Sequence, residues 1–238
     1  IDVSDEAIMK SFNEHNELCR LIKEIGEYRK KENPVITGYE FQLIMLVSLC
    51  CPKYLIIPKI KEVLEDLKTR VPDEKNPYRV RVVLAGSEND DPDFTKLIEE
   101  CGALVVADRH CYGSLPGREE IEIREGETPL RAVARHYLEY NECCRFMEQH
   151  TMRERKDYIA NLVKEYKADG IIVESMKFCE YWSYERTIDT LIFPRDYGVP
   201  TCSIEKEYVN NAVGQLRTRF QAFIESIELK QLHADSET

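Results

Sequence analysis

The stretch Tyr78–Arg109, YRVRVVLAGSENDDPDFTKLIEECGALVVADR, decides the fold class. It begins with YRVRVVLAG and ends with ALVVADR, two short β-branched apolar runs that are typical of buried strands. The segment between them has the pattern of a helix, because Asp91 suits an N-cap, Pro92 suits the first helical position and Gly102 suits the C-terminal end. The stretch therefore predicts a strand–helix–strand unit.

The same alternation continues toward the C-terminus. GIIVESM predicts a third strand and VPTCSIE a fourth. Helices are predicted in ETPLRAVARHYLEY, MRERKDYIANLVKEYKADG and SYERTIDTLIFPRDYG, and again from about Gly214. Strands that alternate with helices through short loops form a parallel sheet with helices on both faces. We therefore predict an α/β fold, a flavodoxin-like or Rossmann-like sheet of about four strands, over residues 78–238.

Residues 1–77 have a different pattern and predict a helical segment before the sheet. A first helix is predicted from Asp5 to Lys31, since apolar residues recur there at helical spacing. These residues are Ile8, Phe12, Cys19, Ile22 and Ile25. A second helix restarts at Thr37 or Gly38, and a third is predicted over Ile60–Lys68, after two prolines. We expect this segment to be the connector from a further domain upstream.

The composition excludes several classes of function. The chain has 238 residues, a formal net charge of −11 and a pI near 5.1. A nucleic-acid or anionic-membrane surface needs a positive field, so neither partner is expected. No apolar run approaches the roughly 20 residues of a membrane helix, and no signal peptide is visible, so a cytoplasmic protein is expected. The nine cysteines include no CxxC pair and do not suggest a disulfide framework.

Four segments that follow the four predicted strands carry the reactive side chains. Right-handed crossovers bring the carboxyl ends of parallel strands to one edge of the sheet, where ligands of such sheets bind. That edge is expected to collect Glu88, Asp108, Arg109, His110, Cys111, Lys177, Cys179, Glu205, Gln215 and Arg217. The first loop is GSENDDP, which is neither a dinucleotide fingerprint nor a phosphate loop. A nucleotide site is therefore not predicted there.

Cys179 is the candidate metal ligand and cofactor-binding residue. It follows the third strand within MKFCEYW, and Lys177 nearby would favour the thiolate that an iron–sulfur cluster needs. The neighbouring aromatic residues Phe178, Tyr181 and Trp182 are expected to exclude water from such a cluster. A buried cysteine of no chemical function at the end of a strand is the alternative reading of the same pattern.

Further residues are candidates for binding a substrate. The loop CYGSLPG contains Cys111, Gly113 and Ser114, and its glycines would let backbone amides approach a ligand. An ordinary turn explains the same loop. Gln215 and Arg217, near the start of the last helix, suit an anionic group, although a surface arginine is the alternative. The sequence does not fix a catalytic group, and the candidates are Glu88, His110 and Glu205.

These segments together, in this order, resemble the 2-hydroxyacyl-CoA dehydratase and benzoyl-CoA reductase superfamily. The matching strings are RVVLAGSENDDPDFTKLIEECGALVVADRHCYGS, RKDYIANLVKEYKADGIIVESMKFCEYW and GVPTCSIEKEY followed by GQLRTRFQAFIE. ENPVITGYEF also looks like the connector before the second α/β domain of that superfamily, so the resemblance covers nearly the whole chain. The most specific element is KFC followed by an acidic residue.

The resemblance implies a subunit of a two-subunit catalytic module. Such a module holds a [4Fe-4S] cluster, binds a CoA thioester beside it and receives low-potential electrons from a separate ATP-hydrolysing activator that has its own cluster. The chemistry implied is a ketyl-type radical on the thioester. Cys179 matches a cluster-ligating cysteine of the superfamily, and the remaining ligands are expected upstream. We therefore expect this chain to be the C-terminal portion of a longer subunit.

Within the superfamily, VADRHCYGSLPG, IEKEY and the acidic residue with Trp182 after Cys179 look closer to the benzoyl-CoA reductase type. A 2-hydroxyacyl-CoA dehydratase subunit is the near alternative. An alternative of another class is a non-catalytic scaffold or electron-transfer module. The sequence does not identify the acyl group.

Overall fold

The fold is an α/β arrangement of one parallel sheet and the helices around it. The computed structural model describes residues 1–73, 77–114, 119–140, 143–145, 148–209 and 212–236. The strands are β1 (Val80–Gly86), β2 (Ala103–Arg109), β3 (Gly170–Met176) and β4 (Thr201–Lys206). The helices are α1 (Asp5–Glu27), α2 (Gly38–Cys50), α3 (Lys53–Thr69), α4 (Pro92–Glu100), α5 (Pro129–Glu139), α6 (Gln149–Glu165), α7 (Glu180–Ile192) and α8 (Val213–Ser236).

The four described strands form one sheet in the order β2-β1-β3-β4, and every pair is parallel. This is the flavodoxin-like strand order, so the predicted fold class is confirmed. The bounds of β2 and β3 coincide with the runs ALVVADR and GIIVESM. The Asp91 carboxylate accepts a hydrogen bond from the Asp93 N–H and so caps α4, and Pro92 is the first residue of that helix. The chain entering α4 is thus fixed as its sequence predicts.

Helices cover both faces of the sheet because its strands are apolar on both sides. On one face, α4 and α8 pack against alternate residues of the strands. Phe94 of α4 and Phe220 of α8 share a core there with Leu84 of β1. On the other face, α6 packs against the opposite set, with Ile159 and Val173 in the shared core. α7 lies against β3 and β4. The loops that follow the parallel strands converge at the carboxyl edge of the sheet.

Helices α1–α3 have an apolar core of their own, which includes Ile22, Phe41 and Leu64. They also pack on the sheet layer, because α2 contacts α4 and β2. α1 in addition contacts α5 through Phe12 and Ala132. Thr37 caps α2 in a capping box with Glu40. The division of the chain at residue 77 into a connector and a separate domain stays a prediction.

The predicted start of the third helix is wrong. α3 begins at Lys53 and contains Pro58, whereas the sequence suggested a start at Ile60. A proline inside a helix removes one backbone hydrogen bond, here the one that would reach the Tyr54 carbonyl. The buried stripe of α3 compensates for that loss; it consists of Ile57, Ile60, Leu64 and Leu67.

Among the described residues, no helix combines the length and the apolar character that crossing a bilayer requires.

Candidate functional site

The strand order places a crevice between the carboxyl ends of β1 and β3. β2 lies next to β1 on one side and β3 lies next to β1 on the other, so the strand order reverses at β1. Ligands of such sheets bind at this switch point. Ser87, the residue after β1, joins the two strand ends. Its Oγ accepts the Met176 N–H at 2.9 Å, and its own N–H donates to the Glu174 carbonyl oxygen at 3.2 Å. We call the loops around this point the rim.

Cys179 lies on the rim, three residues beyond β3, as the N-cap residue of α7. Its N–H donates to the Met176 carbonyl oxygen at 3.1 Å, and its carbonyl accepts the Ser183 N–H at 2.9 Å. The side chain does not cap the helix and is half-buried. A helix N-terminus favours an anion, and a thiolate is the form of cysteine that binds metal. The backbone is therefore fixed while the sulfur is left available, and a wholly buried cysteine is not what the structure shows.

The turn that delivers Cys179 is strained at Phe178. This residue has a φ of 65°, a region that non-glycine residues rarely occupy, and it is 99% exposed. Its side chain gains no packing there that would offset the strain. Backbone strain of this kind is concentrated at functional sites, where the surrounding structure holds it in place. Phe178 shares this uncommon conformation with Lys167, and it lies directly before Cys179.

Two sequence-based expectations about the surroundings of Cys179 are wrong. The Lys177 ammonium group donates to Glu207 at 2.6 Å in an exposed ion pair, so its charge is paired with a carboxylate and not with the Cys179 thiol. Phe178 and Tyr181 are exposed and do not exclude water from the sulfur within this chain. Only Trp182 is buried, with the Arg109 guanidinium 5.4 Å from its ring centroid. Two of the three aromatic side chains that follow or precede Cys179 are therefore in solvent and do not shield it.

A layer of polar groups lies buried directly beneath the rim. The Ser87 hydroxyl lies 3.1 Å from both carboxyl oxygens of Glu174, which is fully buried in β3. Burial raises the pKa of Glu174 to about 7, so near neutral pH this carboxyl group is protonated in a large fraction of the molecules. His110 lies beside it, with Nδ1 2.7 Å from the Ser87 carbonyl oxygen. Burial lowers the pKa of His110 to about 4 and keeps the imidazole neutral.

The neutral His110 has a defined tautomer. The Ser87 carbonyl oxygen can only accept a hydrogen bond, so Nδ1 must carry the proton and donate it. Nε2 then has a free lone pair, and within the described structure this buried nitrogen has no partner.

Lys206 brings a cation into the same layer from β4. Its ammonium group donates to the Asn89 side-chain oxygen at 2.8 Å and lies 4.5 Å from the centre of the Phe94 ring. Burial lowers the pKa of Lys206, while Glu174 nearby favours the charged form. The Asn89 carbonyl accepts a hydrogen bond from Gln42 of α2 at 2.8 Å. The loop after β1 is thus held from both the sheet and the helical segment.

The three predicted catalytic candidates lie in different environments. Glu88 is exposed at the rim. Glu205 pairs with Arg186 of α7 at 3.4 Å, on the face of the sheet opposite Lys206. His110 is only 3% exposed and belongs to the buried layer. The structure therefore does not bring these three side chains together, and a catalytic role for any of them stays a prediction.

The loop after β2 is closed on Asp108. The Ser114 N–H donates to the Asp108 carboxylate at 2.7 Å, and the Ser114 hydroxyl bonds to the same residue. A Cβ on Gly113 would lie 2.1 Å from Asp108 Oδ2, so only glycine fits. Gly113 and Ser114 are buried, whereas Cys111 is exposed. Of the three predicted substrate contacts in this loop, Cys111 alone is accessible; residues 115–118, which complete CYGSLPGR, lie outside the described residues.

Gln215 and Arg217 do not point to the rim as a pair. Gln215 is exposed, and Arg217 pairs with Glu100 at 2.8 Å. Glu100 ends α4, which starts at the rim and returns toward the start of β2, so this ion pair lies at the far end of that helix. Their predicted role in substrate binding receives no support from this placement.

Sequence reasoning missed the buried layer of Ser87, Asn89, Glu174 and Lys206. One signal was available, because GIIVESM has a glutamate inside an otherwise apolar strand. A charged residue in a fully buried strand requires partners. The sequence does not show which partners these are.

In the part of the chain that the structure describes, no group of three or more histidine, cysteine or acidic side chains is arranged to hold a metal ion. As a metal ligand, Cys179 would contribute a single thiolate. Its place at the switch point and its uncommitted sulfur fit that use.

Comparisons with known proteins agree with the predicted superfamily. The family described as "2-hydroxyglutaryl-CoA dehydratase, D-component" matches residues 1–227. The chain is 26% identical over 226 residues to the (R)-phenyllactyl-CoA dehydratase beta subunit of Clostridium sporogenes, covering 94% of this chain and 58% of that protein. It is 20% identical over 232 residues to the (R)-2-hydroxyglutaryl-CoA dehydratase subunit beta of Acidaminococcus fermentans, covering 95% of this chain and 59% of that protein.

A third relative is the putative dehydratase subunit YjiM of Escherichia coli. It is 28% identical over 132 residues, which covers 56% of this chain and 33% of that protein. The chain thus spans less than three fifths of the length of each of these relatives.

Proposed function

The chain belongs to the 2-hydroxyglutaryl-CoA dehydratase D-component family, and from this premise we propose that it is part of a subunit of a 2-hydroxyacyl-CoA dehydratase-type enzyme. The observation that carries the proposal is the placement of Cys179. Its sulfur lies at the switch point of the sheet, at a helix N-terminus and after a strained turn. Family membership alone would not single out one of nine cysteines.

We propose that Cys179 contributes one thiolate to a [4Fe-4S] cluster whose other ligands come from polypeptide outside this chain. The Cys179 thiol supports this, since it is half-buried at the rim and forms no hydrogen bond with the residues that the structure describes. When bound, the cluster would supply the low-potential electron for ketyl-type radical chemistry on an acyl thioester. The protein residues here fix the backbone of Cys179 and hold a buried proton on Glu174.

The substrate we propose is a 2-hydroxyacyl-CoA thioester, from which water is removed. The two relatives that match nearly the whole chain are named as dehydratase beta subunits, and this favours dehydration over the reduction of an aryl-CoA. A benzoyl-CoA reductase-like activity remains the second form of the proposal. In either form, we propose a homologous second subunit and an ATP-dependent activator with its own iron–sulfur cluster as partners.

The deciding experiment is to purify the full-length protein under anaerobic conditions with its partner subunit, as wild type and as Cys179→Ser. We expect stoichiometric iron and sulfide and a cluster EPR signal after reduction in the wild type, and loss of both in the variant. Cys50→Ser is the matched control, because Cys50 is an exposed cysteine of α2, outside the turn that follows β3. A Cys179→Ser protein with the full iron content would reject the proposal.

Activity assays then separate the remaining possibilities. With activator and ATP, we expect water to be eliminated from a 2-hydroxyacyl-CoA. Reduction of an aryl-CoA without dehydration would favour the reductase form. A preparation that contains the cluster but neither binds nor turns over any acyl-CoA would favour a scaffold or electron-transfer module.

A further inference from the structure

One cavity lies away from the rim, where α1 and the start of α3 meet α5. Its volume is about 270 Å³, and it shares no lining residue with the surroundings of Cys179. The walls are mostly apolar and are formed by Ile8, Phe12, Ile121, Leu130, Val133 and Tyr137. His15 and Lys53 also line it. We call this cavity the α1–α5 groove.

A chain of hydrogen bonds fixes the polar side of the groove. The Lys53 ammonium lies 3.2 Å from His15 Nδ1, and His15 Nε2 lies 3.4 Å from the sulfur of Cys19. An ammonium group can only donate, so Nδ1 accepts and Nε2 carries the proton. The Cys19 thiol in turn donates to the Glu119 carbonyl oxygen at 3.7 Å. Each member has a defined role, and the imidazole is neutral.

This arrangement does not fit a nucleophilic cysteine. Cys19 is fully buried, and burial raises the pKa of its thiol to about 11, so the sulfur stays protonated. Burial likewise lowers the pKa of His15 to about 4. The neutral histidine and the thiol therefore serve to hold Lys53 in place. The polar group that faces the groove and can bind a ligand is the Lys53 ammonium.

Lys53 is a half-buried cation on which burial acts more strongly than the attraction of Glu14. Among the described residues it forms no ion pair, and its hydrogen bond goes to the neutral His15. Asp2 lines the same groove, but its carboxylate bonds to the Ser4 N–H at 2.9 Å and not to Lys53. Burial lowers the pKa of Lys53, because the apolar walls solvate the ammonium charge less well than water does. A half-buried charge of this kind is stabilised when an anion joins it.

We propose that the α1–α5 groove binds a small carboxylate with an apolar body, the carboxylate on the Lys53 ammonium and the body against Phe12, Ile121 and Val133. The size agrees, because an apolar cavity of about 150 Å³ accommodates benzene and the groove is larger. There is room for an aromatic ring with a short side chain or for a medium-length aliphatic chain. This site is independent of Cys179 and of the function proposed above.

The test is calorimetric titration of the purified full-length protein with 3-phenylpropanoate and with hexanoate. The corresponding neutral amides serve as ligands of equal size without charge. We expect saturable binding of the carboxylates and at least about tenfold weaker binding of the amides, since a charge-assisted bond is lost. No saturable binding of either carboxylate at millimolar concentration would overturn the proposal.

Two variants and one control locate the site. Lys53→Met should weaken carboxylate binding about tenfold or more, and Val133→Trp, which fills the apolar end of the groove, should abolish it. Lys59→Met is the matched control, because Lys59 belongs to the same helix but pairs with Glu62 on the surface. Its affinity should equal that of the wild type. Thermal unfolding confirms that each variant is folded, and unchanged binding in both site variants would place the ligand elsewhere.

Discussion

The Ser87 hydroxyl bonds to the carboxyl group of Glu174, 3.1 Å from each oxygen, and so ties the end of β1 to the interior of β3. The same hydroxyl oxygen accepts the Met176 N–H. This one side chain therefore holds the strand end from which the turn to Cys179 departs. The geometry also confines Glu174 to a site with no access to water.

The first prediction concerns the pH dependence of stability. Burial raises the pKa of Glu174 from 4.5 to about 7, so the folded state binds this proton more tightly than the unfolded chain. The resulting stabilisation is complete below pH 4.5 and is lost as the pH rises through 7. We expect the free energy of unfolding of the wild type to fall by about 3 kcal/mol more than that of Glu174→Gln between pH 4.5 and 8.

Urea unfolding of both proteins across this pH range measures the difference. Glu99, with a pKa that burial raises to about 7, and Asp189, with one raised to about 6, titrate in both proteins and cancel in the comparison. Parallel stability profiles would show that Glu174 does not retain its proton in the folded protein.

The sheet was predictable because its signals are local. ALVVADR and GIIVESM are bounded by glycine or by turn residues, and a strand needs little more than such a run. Parallel pairing then follows from the alternation with helices, and the convergence of loops at one edge follows from parallel pairing. The start of α3 was missed for a different reason. Buried contacts outweigh the local effect of Pro58, and a single sequence does not display those contacts.

The site was only partly predictable. Cys179 could be named because it follows a strand, but the commitment of Lys177 to Glu207 depends on β4, thirty residues later. The partners of Glu174 likewise lie far from it in sequence, because Ser87 follows β1 and Lys206 belongs to β4. Side-chain pairing across a fold of this kind is set by tertiary geometry, which residue order does not reveal.

The second prediction concerns Arg29, which ties the helical segment to the rim. It is 1% exposed, it lies 3.5 Å from the Asp108 carboxylate, and its guanidinium is stacked 3.5 Å from the centre of the Phe41 ring. Removing one member of a buried ion pair leaves the other charge in a poor environment. We expect Arg29→Met to lower the free energy of unfolding by about 3–5 kcal/mol in urea titrations.

Arg20→Met is the control for Arg29. Arg20 belongs to the same helical segment but pairs with Glu120 at the surface, and its side chain is 59% exposed. We expect a loss of at most about 1 kcal/mol. Equal losses in the two variants would show that the Arg29 pair contributes no more than a surface ion pair.

The third prediction concerns the turn after β2. Gly113→Ala would place a methyl group on Asp108 Oδ2, where the carboxylate already accepts the Ser114 N–H. The turn must shift, at a cost of about 1–3 kcal/mol in the free energy of unfolding. Gly214→Ala is the control, since a Cβ there meets no atom and lies in a helix, so stability should rise by up to about 1 kcal/mol. Chemical denaturation of both variants tests this, and an unchanged Gly113→Ala protein would contradict the close approach.

The last prediction concerns the strained backbone of Phe178 and its effect on the free energy of unfolding. A left-handed conformation costs an ordinary residue about 1–2 kcal/mol, and glycine avoids this cost but loses more backbone entropy on folding. Since Phe178 is 99% exposed with a φ of 65°, Phe178→Gly loses no packing and should raise the free energy of unfolding by about 0.5–1 kcal/mol. Lys167→Gly, at an exposed residue with a φ of 50°, should give a similar gain.

The two variants should differ in function. The Phe178 turn delivers Cys179, so under the proposed function a more flexible glycine there should lower the iron content and the dehydratase turnover of the full-length assembly, whereas Lys167→Gly should leave both unchanged. Urea unfolding, iron analysis and turnover of the same preparations give the three values required. If Phe178→Gly gains stability and keeps full iron content and turnover, the strain at this turn has no part in presenting the thiol. If it loses more than about 1 kcal/mol, the side chain makes a stabilising contact that outweighs the strain.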